Sequence, residues 1–261
     1  MFMDNIKPKF KAFFIHLTLS ALIIGLFLYA SQKIFYPGPL FRIEGVWQGL
    51  KILIPVDAIL GPMLTFFLFV PGKKGMKMDL SIIACIQILA LIYGGYCIYT
   101  MRPAAFVFVG DRFQIISAKL YQQLDVPLNR FSTNEQTHPL MIYAKPPSKK
   151  RLLDFIVKGI QYEYQAERYY PLVKFKDVVL KKQYLLNQHK AQSPQQQKII
   201  DEYLAKNKSQ LSKTATFIIQ GTTYDSALLV LDKNTLKLKG YIDINPWRQL
   251  EEAKQKEIKD K

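Results

Sequence analysis

The side chains that could carry out catalysis or hold a metal ion are few in this chain and lie far apart. Long stretches separate His16, His138 and His189, and the two cysteines, Cys85 and Cys97, do not form a Cys-x-x-Cys pair. Motifs such as His-Glu-x-x-His, Gly-x-Ser-x-Gly, Asp-x-Asp and the glycine-rich phosphate loop are missing from the sequence. Each of these motifs supplies groups that metal, nucleophilic or phosphoryl chemistry requires. We therefore predict no catalytic residue, no metal site, no cofactor and no enzymatic activity, although catalytic groups can also converge from distant positions.

One carboxylate stands out because of its surroundings. Asp57 lies near the middle of the apolar run 50–70, which also contains Pro55 and Pro62. At about 1.5 Å per residue this run can cross a hydrocarbon core of about 30 Å. A charged carboxylate at that depth costs at least about 2.5 to 3.5 kcal/mol. Asp57 should therefore face other helices, water or a partner, or be protonated, and a structural role competes with a binding role.

Small and polar residues accompany Asp57 in two apolar runs. Gly61 and Pro62 free a backbone carbonyl and open a groove that a second helix can approach. Packing within the bundle is the alternative explanation for the polar and small residues of the third run. The candidate partner-binding residues are Asp57, Gly61, Pro62, Thr65, Gln87, Gly94 and Gly95.

Three apolar runs must position these residues, and they predict spans at about 12–30, 50–70 and 80–100. A cleaved signal peptide is the alternative for the first run, but the run exceeds the usual apolar core of such peptides. His16 lies toward its basic end and is expected to be an interfacial side chain. Residues 1–100 are thus expected to form a three-helix transmembrane domain.

The distribution of lysines predicts the orientation of these spans. Lys7, Lys9 and Lys11 precede the first run, and three lysines lie in the loop 71–77. Because positive residues favour the cytoplasmic side, the amino end is expected in the cytoplasm and the chain beyond Thr100 outside.

The chain beyond residue 100 is predicted to be an α+β domain over 101–248, followed by a charged tail over 249–261. The segments 105–109 and 113–117 predict a hairpin, and three more β-rich segments lie at 214–220, 226–231 and 236–244. They predict a small antiparallel sheet. Apolar residues at helical spacing predict helices at 150–160 and 177–187, and Ser193 is a suitable cap for a third. The proline-rich stretch 124–148 is expected to be an irregular connection.

The charge balance points to lipid rather than to nucleic acid. From residue 101 onward there are 27 basic and 16 acidic side chains, a net charge of +11. The lysines are scattered, and the sequence lacks an RNA-binding or zinc-finger signature. The acidic headgroups of lipids in the membrane that holds the chain are therefore the expected partners of this charge.

The run Val56–Thr65 is accompanied by Gln87 and Tyr93-Gly94, and by a set that we interpret as a structural family motif: Asp79, Arg102, Pro103, Asp111, Arg112 and Phe113. The arrangement of these motifs resembles the TfpX/TfpZ family of type IV pilin accessory proteins, which also includes FimB-like proteins. The resemblance covers about residues 10–120 and is looser beyond. It implies a bacterial inner-membrane protein with a periplasmic domain that acts as an accessory protein or dedicated chaperone for a type IV major pilin. Contact with the pilus assembly machinery is a further expectation.

Two other functions remain open on sequence alone. The first is a membrane-bound enzyme that modifies pilin or an envelope glycan, which would change the mass of pilin. The second is a sensor, and the short segments expected in the cytoplasm argue against it.

Overall fold

Three long apolar helices lead the chain in the computed structural model, which describes residues 6–126, 128–131, 139–186, 191, 193–221 and 225–247. Within these residues three helical stretches are long and apolar enough to cross a membrane: Ile6–Phe35, Val46–Leu68 and Met76–Met101. We call them the first, second and third spans. They confirm the predicted membrane class, and each begins before the expected residue.

The second span changes its helical geometry twice. It consists of α3 (Val46–Pro55), a π-helical turn (Val56–Leu60) and α4 (Gly61–Leu68). Proline lacks the N–H that a regular helix needs for its i to i−4 backbone hydrogen bonds. Pro55 and Pro62 lie on either side of the π-helical turn, where this hydrogen-bond pattern changes. The first span is more regular, with α1 (Ile6–Ala30) ending in a π-helical turn (Ser31–Phe35), and the third span is the single helix α5 (Met76–Met101).

The chain divides into two compact units. The first contains residues up to Pro37 together with Gly45–Thr100, and the second contains Gly38–Glu44 together with the chain from Met101 onward. We call the first the membrane unit and the second the sheet unit.

The sheet unit is built on a mixed sheet with the strand order β4-β3-β1-β2-β5-β6-β7. Its strands are β1 (Pro103–Val109), β2 (Arg112–Ser117), β3 (Leu140–Ala144), β4 (Tyr169–Pro171), β5 (Thr214–Gln220), β6 (Ser226–Asp232) and β7 (Leu238–Ile242). The β1–β3 and β2–β5 pairs are parallel and the other pairs are antiparallel. The predicted α+β class is confirmed, but the sheet is larger than expected and is not purely antiparallel.

The helices of this unit are mostly short. They are α2 (Leu40–Ile43), α6 (Ala118–Gln123), α7 (Lys149–Val157), α8 (Lys176–Leu180) and α9 (Pro194–Lys206), with 3₁₀ turns at Leu128–Arg130, Tyr162–Tyr164, Ala166–Arg168, Leu172–Phe175 and Leu211–Lys213. The Ser193 hydroxyl accepts a hydrogen bond from the Gln196 amide at 3.2 Å, so the predicted cap of α9 is confirmed. The stretch 124–148, expected to be irregular, contains β3. The expected helix at 177–187 is reduced to α8.

The strands β1, β5 and β6 are apolar on both faces because both faces are covered. Five consecutive residues of β1 are buried. Phe108, Phe113 and Phe217 meet edge to face at centroid distances of 5.1 to 6.1 Å. Ile200 of α9 packs with β5, β6 and β7 in a separate apolar cluster. Such double coverage removes the alternation of apolar and polar residues that identifies a half-exposed strand.

The segment Gly38–Glu44, which we call the strap, is an integral part of the sheet unit. Leu40 and Ile43 are buried, with exposed fractions of 1% and 0%. The Arg42 guanidinium forms ion pairs with Asp225 and Asp243, the latter at 2.7 Å, and donates to the Ser226 carbonyl at 3.1 Å. The strap is therefore held by both apolar burial and ion pairs.

Candidate functional site

A polar network links the three spans within the membrane unit. His16 of the first span contacts Thr65 Oγ1 of the second at 2.6 Å through Nδ1 and Gln87 Oε1 of the third at 2.8 Å through Nε2. Because an amide oxygen only accepts, Nε2 donates in the contact with Gln87. The Gln87 amide nitrogen donates to the backbone carbonyl of Asp57 at 3.4 Å. The expectation of an interfacial His16 is therefore wrong, because the ring lies among the spans.

Asp57 lies in the π-helical turn beside this network. Its exposed fraction is 6%, and within the part of the chain that the structure describes its Oδ1 has no hydrogen-bond partner. A buried carboxylate oxygen without a donor is unfavourable in an apolar medium. This oxygen is thus the unsatisfied group of the site.

A cavity of about 690 Å³ opens in the membrane unit beside Asp57. Asp57, Thr65, His16 and Gln87 contribute polar groups to its wall, and the first span adds Lys11 and Ser20. Most of the remaining lining comes from apolar residues of the first and third spans: Ala12, Ile15, Leu19, Ile23, Ile24, Leu80, Ala84, Ile88 and Leu91. These residues recur at helical spacing, so one face of each span forms a wall, and the cavity is an apolar groove with a carboxylate in it.

Gly61, which was predicted to open a groove, is buried, whereas Gly94 and Gly95 of the third span are half-buried. A Cβ at Gly61 would lie 2.8 Å from Cδ of Gln87, and a Cβ at Gly95 would lie 3.5 Å from the ring of Phe27. Pro62 is buried and Gly94 is half-buried. Asp57, Gly61, Thr65 and Gln87 are therefore brought together, whereas Gly94 and Gly95 lie about two turns further along the third span.

The motif residues occupy structural positions. Asp79 pairs with Lys73 at 2.7 Å, and the Arg102 carbonyl accepts from the Ala118 amide at 2.8 Å. Asp111 lies in the turn between β1 and β2, and the next residue, Arg112, places its guanidinium 4.8 Å from the centre of the Trp247 ring. Pro103 begins β1 and Phe113 is fully buried.

Within the described ranges no group of three or more His, Cys, Asp and Glu side chains could hold a metal ion. His138, His189 and the tail 249–261 lie outside the described residues. Sequence reasoning missed Lys11, Ser20 and His16 as residues of the site, and of these His16 belongs to the polar network. Its signal was available, because His16, Asp57 and Gln87 are each a polar residue well inside an apolar run.

The chain is similar to several fimbrial assembly proteins of Dichelobacter nodosus. It is 39% identical over 107 residues to the serogroup I protein, with 40% of each chain covered. It is also 39% identical over 107 residues to the protein of serogroups C1 and C2, of which 79% is covered. The identity to the serogroup E1 protein is 41% over 86 residues, or 34% of that protein. The match thus spans less than half of the serogroup I and E1 proteins. No family profile and no solved structure matches the chain.

Proposed function

The chain belongs to the family of fimbrial assembly proteins, and from this premise we propose that it assists type IV pilus assembly by binding a major pilin in the inner membrane. The proposal makes it a dedicated chaperone or modulator of the TfpX/TfpZ kind. The observation that carries it is the apolar groove with Asp57 in its wall.

The groove has the properties that a membrane-embedded helix requires of a receptor. Before assembly, a pilin is a long apolar helix with a globular head, so a helper needs an apolar surface within the bilayer. Walls from the first and third spans provide such a surface. Because lipid chains are as apolar as the helix, close packing and polar contacts must supply the preference for the protein over lipid.

Asp57 supplies the polar contact in this proposal. Its unpartnered Oδ1 needs a hydrogen-bond donor or a cation, and the groove is the space from which one could come. We infer that a polar or charged group near the amino end of the pilin helix meets this oxygen. Gly61 and Thr65 then act indirectly, because they pack and hydrogen-bond within the wall that holds Asp57.

The sheet unit is proposed to lie in the periplasm and to contact the pilin head. The strap joins the first and second spans and folds with the chain that follows the third span. Both connections must therefore leave the bilayer on one side. The lysines of the loop 71–77 favour the cytoplasm for the opposite side.

The test is site-specific photocrosslinking in cells, with matched probes in the same spans. Leu19 and Ile88 line the groove and are 56% exposed, whereas Leu26 and Ile92 are 70% and 62% exposed outside it. We expect pilin crosslinks from Leu19 and Ile88 and few from Leu26 and Ile92. Equal crosslinking from all four sites would reject the groove as the binding site. Crosslinks from the sheet unit alone would move recognition to the pilin head, and the absence of any pilin crosslink would reject the chaperone function.

A further inference from the structure

Helix α7 (Lys149–Val157) presents an apolar stripe that no other part of the described chain covers. Leu153, Ile156 and Val157 are 65%, 67% and 85% exposed, and Ile160 just beyond the helix is 38% exposed. Leu153, Ile156 and Val157 follow the i, i+3, i+4 spacing that places them on one face of the helix. Adjacent exposed aliphatic side chains form a surface of the kind that marks an interaction site.

The opposite face of α7 already packs against the sheet unit. Leu152 and Phe155 are half-buried, and the Arg168 guanidinium lies 5.4 Å from the centre of the Phe155 ring. The outward stripe is thus a second apolar face on a helix that is already docked.

The end of α7 fixes the backbone of Ile160. The Ile160 amide donates to the Phe155 carbonyl at 2.8 Å, and the Gly159 amide donates to the Ile156 carbonyl at 3.1 Å. Gly159 has a φ of +64°, which completes the left-handed helix-ending motif that glycine favours. The chain therefore leaves the helix with a defined backbone geometry.

Basic residues flank the stripe. Lys149, Lys150, Arg151 and Lys158 are all exposed, whereas Asp154 is the only acidic residue of the helix. Lysine is depleted at the cores of protein interfaces, while basic residues beside an apolar face are typical of helices that lie in the headgroup region of acidic membranes.

We propose that α7 is an interfacial helix whose stripe inserts into the surface of a bilayer that contains acidic lipid. The occupant follows from charge complementarity, since the basic flank attracts acidic headgroups and the aliphatic stripe enters the boundary of the acyl chains. The three spans anchor the chain in a bilayer, so the effective concentration of lipid around α7 is high. A short helix that would bind lipid weakly by itself can then remain bound. This inference does not depend on pilin binding.

The test uses the full chain in nanodiscs with a polarity-sensitive fluorophore. Cys85 and Cys97 are first replaced by alanine, and then either Val157→Cys or Lys198→Cys is labelled with nitrobenzoxadiazole. The matched control, Lys198, lies on α9 with a side chain that is 77% exposed. Nanodiscs contain phosphatidylcholine alone or with phosphatidylglycerol, and spin-labelled lipid serves as the quencher.

In the acidic nanodiscs we expect a blue shift and several-fold stronger quenching at position 157 than at position 198. Both effects should be smaller in phosphatidylcholine alone. The charge reversals Lys150→Glu, Arg151→Glu and Lys158→Glu, combined, should reduce quenching at position 157 to near the level of the control, with an unchanged circular dichroism spectrum. Equal spectra at the two positions in acidic nanodiscs would overturn the proposal. Protection of position 157 only after addition of pilin would also overturn it and would assign α7 to a protein partner.

Discussion

The side-chain amide of Gln87 occupies the space that a side chain at Gly61 would need, since a Cβ there would lie 2.8 Å from Cδ of Gln87. The same amide accepts from His16 at 2.8 Å and donates toward the Asp57 carbonyl. The Gln87 amide can therefore make the hydrogen bonds of the polar network only because residue 61 has no side chain.

The first prediction concerns this packing. Gly61→Ala should push Gln87 away from His16 and lower the free energy of unfolding by about 1 to 3 kcal/mol, the range for overpacking. Adding Gln87→Ala removes the obstacle, so the double variant should lose less than the sum of the single losses. Unfolding in mixed micelles, followed by circular dichroism, measures the difference.

Gly25→Ala is the matched control in the first span, because nothing lies within 4 Å of a Cβ built there. It should leave stability nearly unchanged. If the losses from Gly61→Ala and Gln87→Ala simply add, the two residues are not packed against each other as described.

The second prediction concerns the contact between the strap and Gly221. A Cβ at Gly221 would lie 2.6 Å from the carbonyl carbon of Ile43, which is backbone and cannot rotate aside. Gly221→Ala should therefore displace the strap and speed amide exchange at Ile43 and Glu44, as measured by mass spectrometry on the solubilised chain. Gly240→Ala, which has open space around its Cβ, should leave that exchange unchanged. Equal rates of amide exchange at Ile43 and Glu44 in the two variants would show that the strap does not pack against Gly221.

The spans and several strands could be predicted because their signals are local. A sustained apolar run identifies a span, a Gly-Asp turn between two apolar segments identifies the β1–β2 hairpin, and Ser193-Pro194 identifies a helix start. These predictions are confirmed because each signal depends only on residues that are close together in the sequence.

The elements that sequence reasoning missed depend on distant contacts. β3 lies in a proline-rich stretch and is a strand because it pairs in parallel with β1. The strap joins the sheet unit through Asp225 and Asp243, which lie 183 and 201 positions after Arg42. In the membrane unit, His16 becomes part of a site only when Thr65 and Gln87 are brought to it. No local pattern encodes such pairings.

The third prediction is a dependence on pH at the β6–β7 turn. The Asp232 carboxylate accepts from the amides of Thr235 and Asn234, each at 2.9 Å, and these bonds lower the pKa of Asp232 below its ordinary value. The pKa of Asp232 is therefore lower in the folded state than its unfolded value of 3.8. The ionised carboxylate stabilises the folded protein above pH 3.8, and this stabilisation is lost as the pH falls toward the folded-state pKa.

Asp232→Asn should remove this dependence, because an amide does not titrate in that range. The melting temperatures of both proteins, measured between neutral and acidic pH, test this prediction. The gap in melting temperature between wild type and variant should narrow as the pH falls. A gap that stays constant across the range would show that ionisation of Asp232 does not stabilise the turn.

The fourth prediction tests the role of Asp57 in partner binding. Asp57→Asn keeps the size of the side chain but weakens its attraction for a cation or a donor, so recovery of pilin on co-purification should fall about tenfold or more. The amount of the accessory protein itself should stay the same. Asp79→Asn is the control, since it makes the same change at an acid that pairs with Lys73. A drop in the amount of the Asp57 variant itself would instead identify Asp57 as a folding residue.

The fifth prediction is the orientation of the sheet unit. Because Arg42 of the strap pairs with Asp225 and Asp243, we expect the connection between the first and second spans and the chain beyond the third span to share one side of the membrane. We then expect the positive loop 71–77 in the cytoplasm. Alkaline phosphatase, which is active only outside the cytoplasm, should be active when fused after Lys261 and inactive when fused after Lys74. The reverse pattern would place the sheet unit in the cytoplasm, where it could not reach a pilin head, and would leave only the groove within the bilayer as a contact site.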